Sequence, residues 1–294
     1  MLQEPRKTKQ FKKQLNGTVS KVFRSGSSLV FQDKIAVEEA LEIRLGIGPN
    51  STRADEFSLS ITMRTPGDDF ALVLGFLRSE GLIQSRDDVL NIQYCGPSAK
   101  VDKPNIIRVK IYGKPGMSQG SLKRFFISSS ACGLCGKSSL SKLQNLGLKP
   151  LKFIENFSLD PKQLWSLRKE LNSIQGLFRS TGGVHAAVIS TREGKALFWG
   201  EDIGRHNALD KLIGKLLISG TTLKDHFLML SGRSSYELLQ KAVTIEAPIV
   251  ISVGAPSSAA LEIAEKYSIT LLGFLGEKSV NVYNDPYAYC ANLY

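Results

Sequence analysis

Two cysteines three positions apart, Cys132 and Cys135, are the residues of this chain best suited to covalent chemistry. They lie in the sequence SSSACGLCGKSSL (residues 128–140), where glycine and serine allow a tight turn that leaves both sulfurs accessible. Lys137 and a helix predicted to begin near Leu140 would both favour an anion and so lower the pKa of a nearby thiol. Because the thiolate is the reactive form of cysteine, the spacing indicates sulfur chemistry.

A C-x-x-C pair has other interpretations. A zinc site needs two further ligands, but Cys95 and Cys290 stand alone and the three histidines show no ligand spacing. A thioredoxin-like pair would follow a strand, whereas a serine-rich stretch precedes this one. Two small apolar residues in a turn are as consistent with the spacing alone as a reactive pair is.

Length and composition favour a globular protein of one large or two ordinary domains. The chain has 294 residues, of which 42% are hydrophobic, enough for a substantial core. Four cysteines without regular spacing do not form a disulfide framework, which indicates a reducing compartment. No apolar run is long enough to span a bilayer and the N-terminus has no signal-peptide pattern, so we expect a cytoplasmic protein.

The net charge of +11 is partly concentrated at the N-terminus. Residues 1–24 carry seven lysines and arginines against one glutamate. This pattern predicts a solvated, disordered basic arm rather than a nucleic-acid-binding segment, because the basic residues do not alternate with aromatic ones. The remaining positive charge favours an anionic ligand in a cleft.

The first half of the chain has the pattern of an α+β domain. Apolar and polar residues alternate over residues 41–45, 57–63 and 107–111, which predicts half-buried strands. A turn at residues 65–69 precedes a predicted helix over 69–79, which Gly81 ends.

The second half alternates strands and helices. Asp160-Pro161 is typical of a helix start, and leucines recur behind it at helical spacing. Strands are predicted at 184–189, 196–199, 227–230, 249–253 and 269–274, with helices at about 205–217, through 238, and at 258–266. Such alternation predicts an α/β fold with a mostly parallel or mixed sheet that has helices on both faces.

Three loops of this half carry candidate ligand-binding residues. Two strands run into serine- and glycine-rich loops followed by helices, an arrangement that aims backbone amides at a phosphate. Serine caps on ordinary helices are the alternative explanation. In the third loop, Asp202, Arg205 and His206 crowd a strand-to-helix turn, while His185 and His226 have the pattern of structural residues. The predicted loop residues are Gly232, Arg233, Ser234, Ser235, Gly254, Ala255 and Ser257.

Several of these segments together resemble the motifs of the FdhD family. They are residues 62–69 (TMRTPGDD), 130–136 (SACGLCG), 181–187 (TGGVHAA), 201–211 (EDIGRHNALDK), 231–237 (SGRSSYE) and 254–258 (GAPSS). The resemblance covers nearly the whole chain after the basic arm, with the motifs in the family's order.

The resemblance implies a sulfur carrier for formate dehydrogenase. Such proteins take sulfur as a persulfide from a cysteine desulfurase and hand it to the molybdenum or tungsten cofactor, bis-molybdopterin guanine dinucleotide. By this resemblance Cys132 carries the persulfide and Cys135 assists it. The cofactor would also meet the segment after the last strand, namely Phe274, Leu275, Gly276, Glu277, Lys278 and Ser279. Many relatives have arginine and glycine where this chain has Gly276, Glu277, Lys278 and Ser279, so contacts from this segment are expected through its backbone amides.

The fold implied is a cytidine deaminase-like α/β domain at residues 141–294, joined through the C-x-x-C loop (128–140) to an N-terminal α+β domain (25–127). A homodimer is also implied. Zinc deaminases need H-x-E and P-C-x-x-C, and this chain has Ala131 before Cys132, so neither a metal nor deamination is expected. The alternatives are a non-catalytic chaperone for the cofactor or guanine nucleotide and, less favoured, a zinc-dependent nucleoside deaminase.

Overall fold

The computed structural model describes residues 11–95, 105–113, 148–155, 157–221 and 226–293. Within these ranges the chain forms three β-sheets, of two, four and six strands, and six α-helices. None of the helices described is both long and apolar enough to cross a lipid bilayer.

The two-stranded sheet is a hairpin near the N-terminus. Strand β1 (Gln14–Val22) pairs antiparallel with β2 (Ser28–Ala36) over nine uninterrupted residue pairs. The prediction of a disordered arm over residues 1–24 is therefore wrong from Gln14 to Val22. In β1 the apolar residues Leu15 and Val19 are separated by polar residues and a glycine, so the strand pattern is weak until β2 pairs with it.

The four-stranded sheet has the strand order β4-β3-β6-β5 and is covered by the helix α1. These elements are β3 (Glu39–Ile47), β4 (Phe57–Arg64), α1 (Asp69–Ser79), β5 (Val89–Tyr94) and β6 (Ile106–Ile111). Leucine, isoleucine and valine side chains of β3, β6 and α1 form its core, as the alternation predicts.

Strand β4 departs from its predicted pattern halfway along. Phe57 and Leu59 are buried, but Ile61 and Met63 are 68% and 49% exposed. Ile43 of β3 faces Ser60 whereas Arg44 faces Ser58, so one residue of β4 is extra. Such a bulge moves the following side chains to the opposite faces of the sheet, and Arg64 is buried in consequence.

The six-stranded sheet has the strand order β12-β11-β10-β9-β7-β8. Strands β9, β10 and β11 are parallel to one another, while β7, β8 and β12 each run antiparallel to a neighbour. The strands are β7 (His185–Ser190), β8 (Ala196–Asp202), β9 (Phe227–Leu230), β10 (Ile249–Ser252), β11 (Thr270–Gly273) and β12 (Asn281–Asn284). The helices are α2 (Pro161–Ile174), α3 (Gly176–Thr181), α4 (Arg205–Ser219), α5 (Tyr236–Thr244) and α6 (Ser258–Tyr267).

Both faces of this sheet are covered, which confirms the predicted mixed α/β architecture. One face packs its alternate strand residues against apolar side chains of α4, α5 and α6. The other face packs against α2 and the C-terminal segment that includes Tyr289 and Cys290. The central strands β9 and β10 are buried throughout, as expected for strands with elements on both sides.

Helices α1 and α4 join the two larger sheets by an unusually close crossing. A β-carbon added to Gly75 would lie 1.8 Å from the carbonyl oxygen of Asp210, and one added to Gly214 would lie 1.8 Å from that of Ala71. The two glycines therefore let the helix backbones touch. This contact fixes the N-terminal α+β part against the helix that begins with Arg205 and His206.

Candidate functional site

The predicted ligand-binding loops meet at one edge of the six-stranded sheet, here called the carboxyl edge. It is formed where β8, β9, β10 and β11 end and where β7 begins with His185. Because β7 is antiparallel to β9, its first residue lies at the same edge as the last residues of the parallel strands. The carboxyl ends of parallel strands are where open α/β sheets bind ligands.

The loops after β9 and β10 lie side by side through backbone hydrogen bonds. The N–H of Gly254 donates to the carbonyl of Gly232 (3.0 Å), and the N–H of Ser234 donates to that of Ala255 (3.1 Å). The N–H of Ser257 donates in turn to the carbonyl of Ser234 (2.9 Å). The predicted juxtaposition of these two loops is confirmed. Ser234 is fully buried, and its hydroxyl has no hydrogen-bond partner within the described part of the chain.

Gly254 is required by the close approach of these loops. A β-carbon on this residue would lie 2.9 Å from both the backbone nitrogen and the Cα of Arg233. Any side chain here would push the Arg233 loop outward. Arg233 itself is exposed, so its guanidinium is accessible to a ligand at the edge.

The segment after β11 borders the second loop. The N–H of Phe274 donates to the carbonyl of Gly254 (3.2 Å), and that of Gly276 donates to the carbonyl of Ser279 (2.9 Å). Phe274 has a left-handed φ of 54° and a ring that is 49% exposed, whereas Leu275 is buried. The side chains of Glu277, Lys278 and Ser279 are exposed.

Three helices begin at the carboxyl edge. Their N-cap residues are Gly204 for α4, Ser235 for α5 and Ser257 for α6, whose hydroxyl accepts a hydrogen bond from Ala260. Free N–H groups and the positive end of the helix dipole make such starts favourable for anions. Arg205 adds a guanidinium whose Nε is buried and has no hydrogen-bond partner among the described residues. A buried donor of this kind favours an external acceptor.

His206 lies in a polar cluster between α4 and α5. Its Nε2 is 3.4 Å from the hydroxyl of Ser235 and 3.4 Å from a carboxylate oxygen of Glu237. Ser235 also donates to Glu237 (3.1 Å). The hydrogen bond and charge of His206 lower the pKa of Glu237 to about 2, against the opposing effect of burial. The carboxylate thus orients the imidazole, although the sequence had not singled out Glu237 as a site residue.

His185 lies beside Arg205 and His206 at the start of β7. Burial lowers its pKa, and the charges of Arg205 and His206 lower it further. Its ring lies close to the neighbouring loop, since a β-carbon on Gly232 would be 3.2 Å from Nδ1. His185 therefore presents an uncharged imidazole at neutral pH, which can accept a proton at one nitrogen and donate a hydrogen bond from the other.

Unlike the other predicted site residues, Asp202 forms a fully buried ion pair with a lysine. Its carboxylate is fully buried and accepts hydrogen bonds from the backbone of Thr65 (3.0 Å) and Gly204 (2.9 Å) and from Asn207 (3.2 Å). The ammonium of Lys211 lies 2.7 Å away. Burial lowers the pKa of Lys211, and the charge of Asp202 opposes this effect. This carboxylate holds the β4–α1 turn against the start of α4.

The predicted pair Cys132 and Cys135 lies outside the described residues. Within them, Cys95 is partly exposed, and burial together with Asp285 raises the pKa of Cys290 to about 12. Cys290 therefore remains a thiol at neutral pH. No group of three or more histidine, cysteine, aspartate or glutamate side chains in the described part of the chain is placed to hold a metal ion.

Comparison with known proteins gives consistent matches over most of the chain. The FdhD/NarQ family model matches residues 49–289. A "Sulfur carrier protein FdhD" of Streptomyces avermitilis is 43% identical over 264 residues, which cover 88% of this chain and 90% of the relative. A protein of the same name from Thermoplasma volcanium is 38% identical, over 92% of this chain and 95% of the relative.

A solved structure shares the fold. It is a crystal structure of a candidate formate dehydrogenase accessory protein from Desulfotalea psychrophila, with a TM-score of 0.69 and 20% sequence identity. The match covers 94% of this chain and 99% of that one, so the shared fold extends over nearly the full length of both.

Proposed function

This chain belongs to the FdhD/NarQ family, and from that premise we propose that it is a persulfide sulfur carrier for formate dehydrogenase. Cys132 accepts sulfur from a cysteine desulfurase and delivers it to the molybdenum or tungsten bis-molybdopterin guanine dinucleotide, which is the substrate. These relatives are named sulfur carrier proteins, and their high sequence identity to this chain supports the proposal.

The sulfur chemistry balances with the two cysteines of the C-x-x-C pair. The Cys132 thiolate attacks the outer sulfur of the desulfurase persulfide, forming a new S–S bond and releasing the desulfurase thiolate. Delivery of that sulfur as sulfide to the metal needs two electrons. Cys135 supplies them when its thiolate attacks the inner sulfur of the Cys132 persulfide, which forms a disulfide and expels hydrosulfide toward the metal.

The carboxyl edge supports cofactor binding because it is suited to an anionic ligand. Three helix N-termini, the accessible Arg233 and the unsatisfied Nε of Arg205 lie around it. A guanine dinucleotide carries a pyrophosphate, and planar guanidinium groups recognise phosphate oxygens by paired hydrogen bonds. The exposed ring of Phe274 offers a stacking surface for the base, beside the backbone of Gly276 and Ser279.

The same proposal includes the finer features implied by the family resemblance. The six-stranded half is a cytidine deaminase-like domain that does not catalyse deamination. The protein acts in the cytoplasm as a homodimer. Asp202 contributes by positioning Arg205 and His206 rather than by touching the substrate, since its carboxylate is already satisfied by four donors.

Mass spectrometry after incubation with a cysteine desulfurase and cysteine tests the proposal. We expect the peptide containing Cys132 to gain the mass of one sulfur atom, and Cys132→Ser to abolish both this gain and the activation of formate dehydrogenase. Cys95→Ser is the matched control and should behave as wild type. Full activation by Cys132→Ser would refute covalent sulfur transfer and favour a chaperone that only binds the cofactor.

A further inference from the structure

The β1–β2 hairpin has one polar and one apolar face. In the strand register, Leu15 pairs with Ile35, Val19 with Phe31 and Lys21 with Leu29, so these side chains share a face. The side chain of Ile35 extends over Gly17 on that same face, because a β-carbon on Gly17 would meet its Cδ1. The opposite face is mostly polar, and there the Gln32 amide donates to the Thr18 hydroxyl (2.7 Å).

Within the described part of the chain, α3 and the residues that follow it contact the hairpin at the base of its polar face. The Ser180 hydroxyl of α3 donates to the side-chain carbonyl of Gln14 (2.6 Å), and a β-carbon on Gly183 would lie 3.5 Å from that of Ala36. Gln14 and Ala36 are a cross-strand pair on the polar face. The apolar face is consequently turned away from α3.

The apolar face is left open to solvent. Leu15, Leu29, Phe31 and Ile35 are between 38% and 55% exposed. A two-stranded hairpin is at best marginally stable in water, and one with a contiguous apolar face gains stability when that face is covered. The apolar face of the hairpin is thus suited to bind a partner surface of matching shape and charge.

The charges on this face are self-complementary. The face carries one cation, Lys21, and one anion, Asp33, on opposite sides of the central Val19–Phe31 pair. A two-fold axis through that central pair would place Lys21 of one chain over Asp33 of the other, and the reverse. Asp33 makes no ion pair within the described residues, and Lys21 lies 5.6 Å from the ring centre of Phe23. An isologous contact of two identical faces therefore joins apolar rows and satisfies both charges.

We infer that the apolar face of this hairpin docks onto the same face of a second copy of the chain, with Lys21 opposite the partner's Asp33. The inference supplies a surface for the dimer included in the proposed function. Its test measures mass rather than sulfur, so the dimer contact and the sulfur transfer can each fail while the other stands.

Sedimentation velocity of the full chain over a concentration series tests the contact. Wild type is expected at twice 32.2 kDa. Phe31→Asp should raise the dimer dissociation constant at least about tenfold, since it puts a charge into an apolar contact. Val30→Asp is the matched control, because Val30 is the next residue, is 65% exposed and lies on the polar face. It should leave the dimer intact, and circular dichroism should show the same fold in both variants.

A charge exchange makes the test specific to the register. Lys21→Asp and Asp33→Lys should each weaken the dimer, while the double variant should restore it, because the opposite charges again face each other. A monomeric wild type would overturn the inference and leave a different protein as the occupant. A dimer equally strong in wild type and Phe31→Asp, or no restoration in the double variant, would place the contact elsewhere and overturn it as well.

Discussion

The ammonium of Lys211 lies 2.7 Å from a carboxylate oxygen of Asp202, and both side chains are almost completely buried. Lys211 also donates to the carbonyl of Thr65 (2.7 Å), which belongs to the turn between β4 and α1. One ion pair thus ties the N-terminal part to the helix that presents Arg205 and His206. Two buried residues thus set the geometry of two that lie at the carboxyl edge.

Removing the negative charge from this pair should be strongly destabilising. In Asp202→Asn the buried Lys211 ammonium would lose its paired carboxylate, and we expect a loss of about 3–5 kcal/mol in the free energy of unfolding. Urea denaturation measures it. Lys215→Met is the control, because its pair with Asp68 is partly exposed and should contribute less than about 1 kcal/mol. A loss below about 1 kcal/mol in Asp202→Asn would contradict a structural role for the pair.

The crossing of α1 and α4 should tolerate no side chain at its glycines. Gly75→Ala or Gly214→Ala would force the helix backbones apart, and we expect a loss of about 3 kcal/mol or more. Gly176→Ala is the matched control, since a β-carbon there would have no neighbour within 4 Å. Thermal denaturation of the three variants compares them. Equal melting temperatures would show that the helices adjust without strain.

The pairing of Glu237 with His206 should make stability depend on acidity. The pKa of Glu237 falls from an ordinary 4.5 to about 2 in the folded chain, so its contribution is complete above pH 4.5 and is lost as the pH falls toward 2. At this half-exposed site we expect about 1 kcal/mol after solvent screening. The difference in unfolding free energy between wild type and Glu237→Gln, measured against pH, should follow this course. Glu262→Gln on α6 controls for the loss of a surface carboxylate, and a pH-independent difference for Glu237→Gln would disprove the pairing.

Arg205 should contribute directly to binding of a guanine nucleotide. With GDP as the probe, Arg205→Met is expected to raise the dissociation constant at least about tenfold, because a charge-assisted hydrogen bond to phosphate is lost. Isothermal titration calorimetry measures this. Arg179→Met is the control, since that guanidinium lies on α3 and bonds to the carbonyl of Ser173 (2.7 Å). Unchanged affinity in Arg205→Met would remove Arg205 from the site.

The same variant should change the titration of a neighbouring group. The charge of Arg205 helps to lower the pKa of His185, so Arg205→Met should raise that pKa toward its ordinary value of 6.5. Proton NMR of the imidazole signals reports it directly. Burial is the larger cause of the shift, and it should keep the pKa of His185 below 6.5 even in the variant. No change would mean that Arg205 points elsewhere in solution.

Local patterns in the sequence were sufficient for the elements that position the site. The helix predicted over 69–79 is α1 with those same bounds, and β9 occupies residues 227–230 as predicted. The two serine–glycine loops meet because parallel strands necessarily end at one edge. Turn chemistry and hydrophobic periodicity are properties of neighbouring residues, which is why they can be read from sequence alone.

Features that depend on distant pairing were not predictable in this way. Thr65 and Asp202 are 137 positions apart, and nothing near either of them signals the hydrogen bond. The bulge that exposes Ile61 and Met63 arises from the register between two strands. The hairpin was hidden because its first strand is rich in polar residues. The roles of Cys132 and Cys135, and the cofactor contacts, remain predictions from the family resemblance.

The two halves can be told apart in the sequence, but the backbone contact at Gly75 and Gly214 joins them into one folded unit. If residues 141–294 were produced alone, α4 would lose the α1 surface that packs against Gly214. Lys211 and Asp202 would then be exposed to water. We therefore expect that the C-terminal half does not fold as an independent domain. Ligand binding at the carboxyl edge should therefore require both halves of the chain.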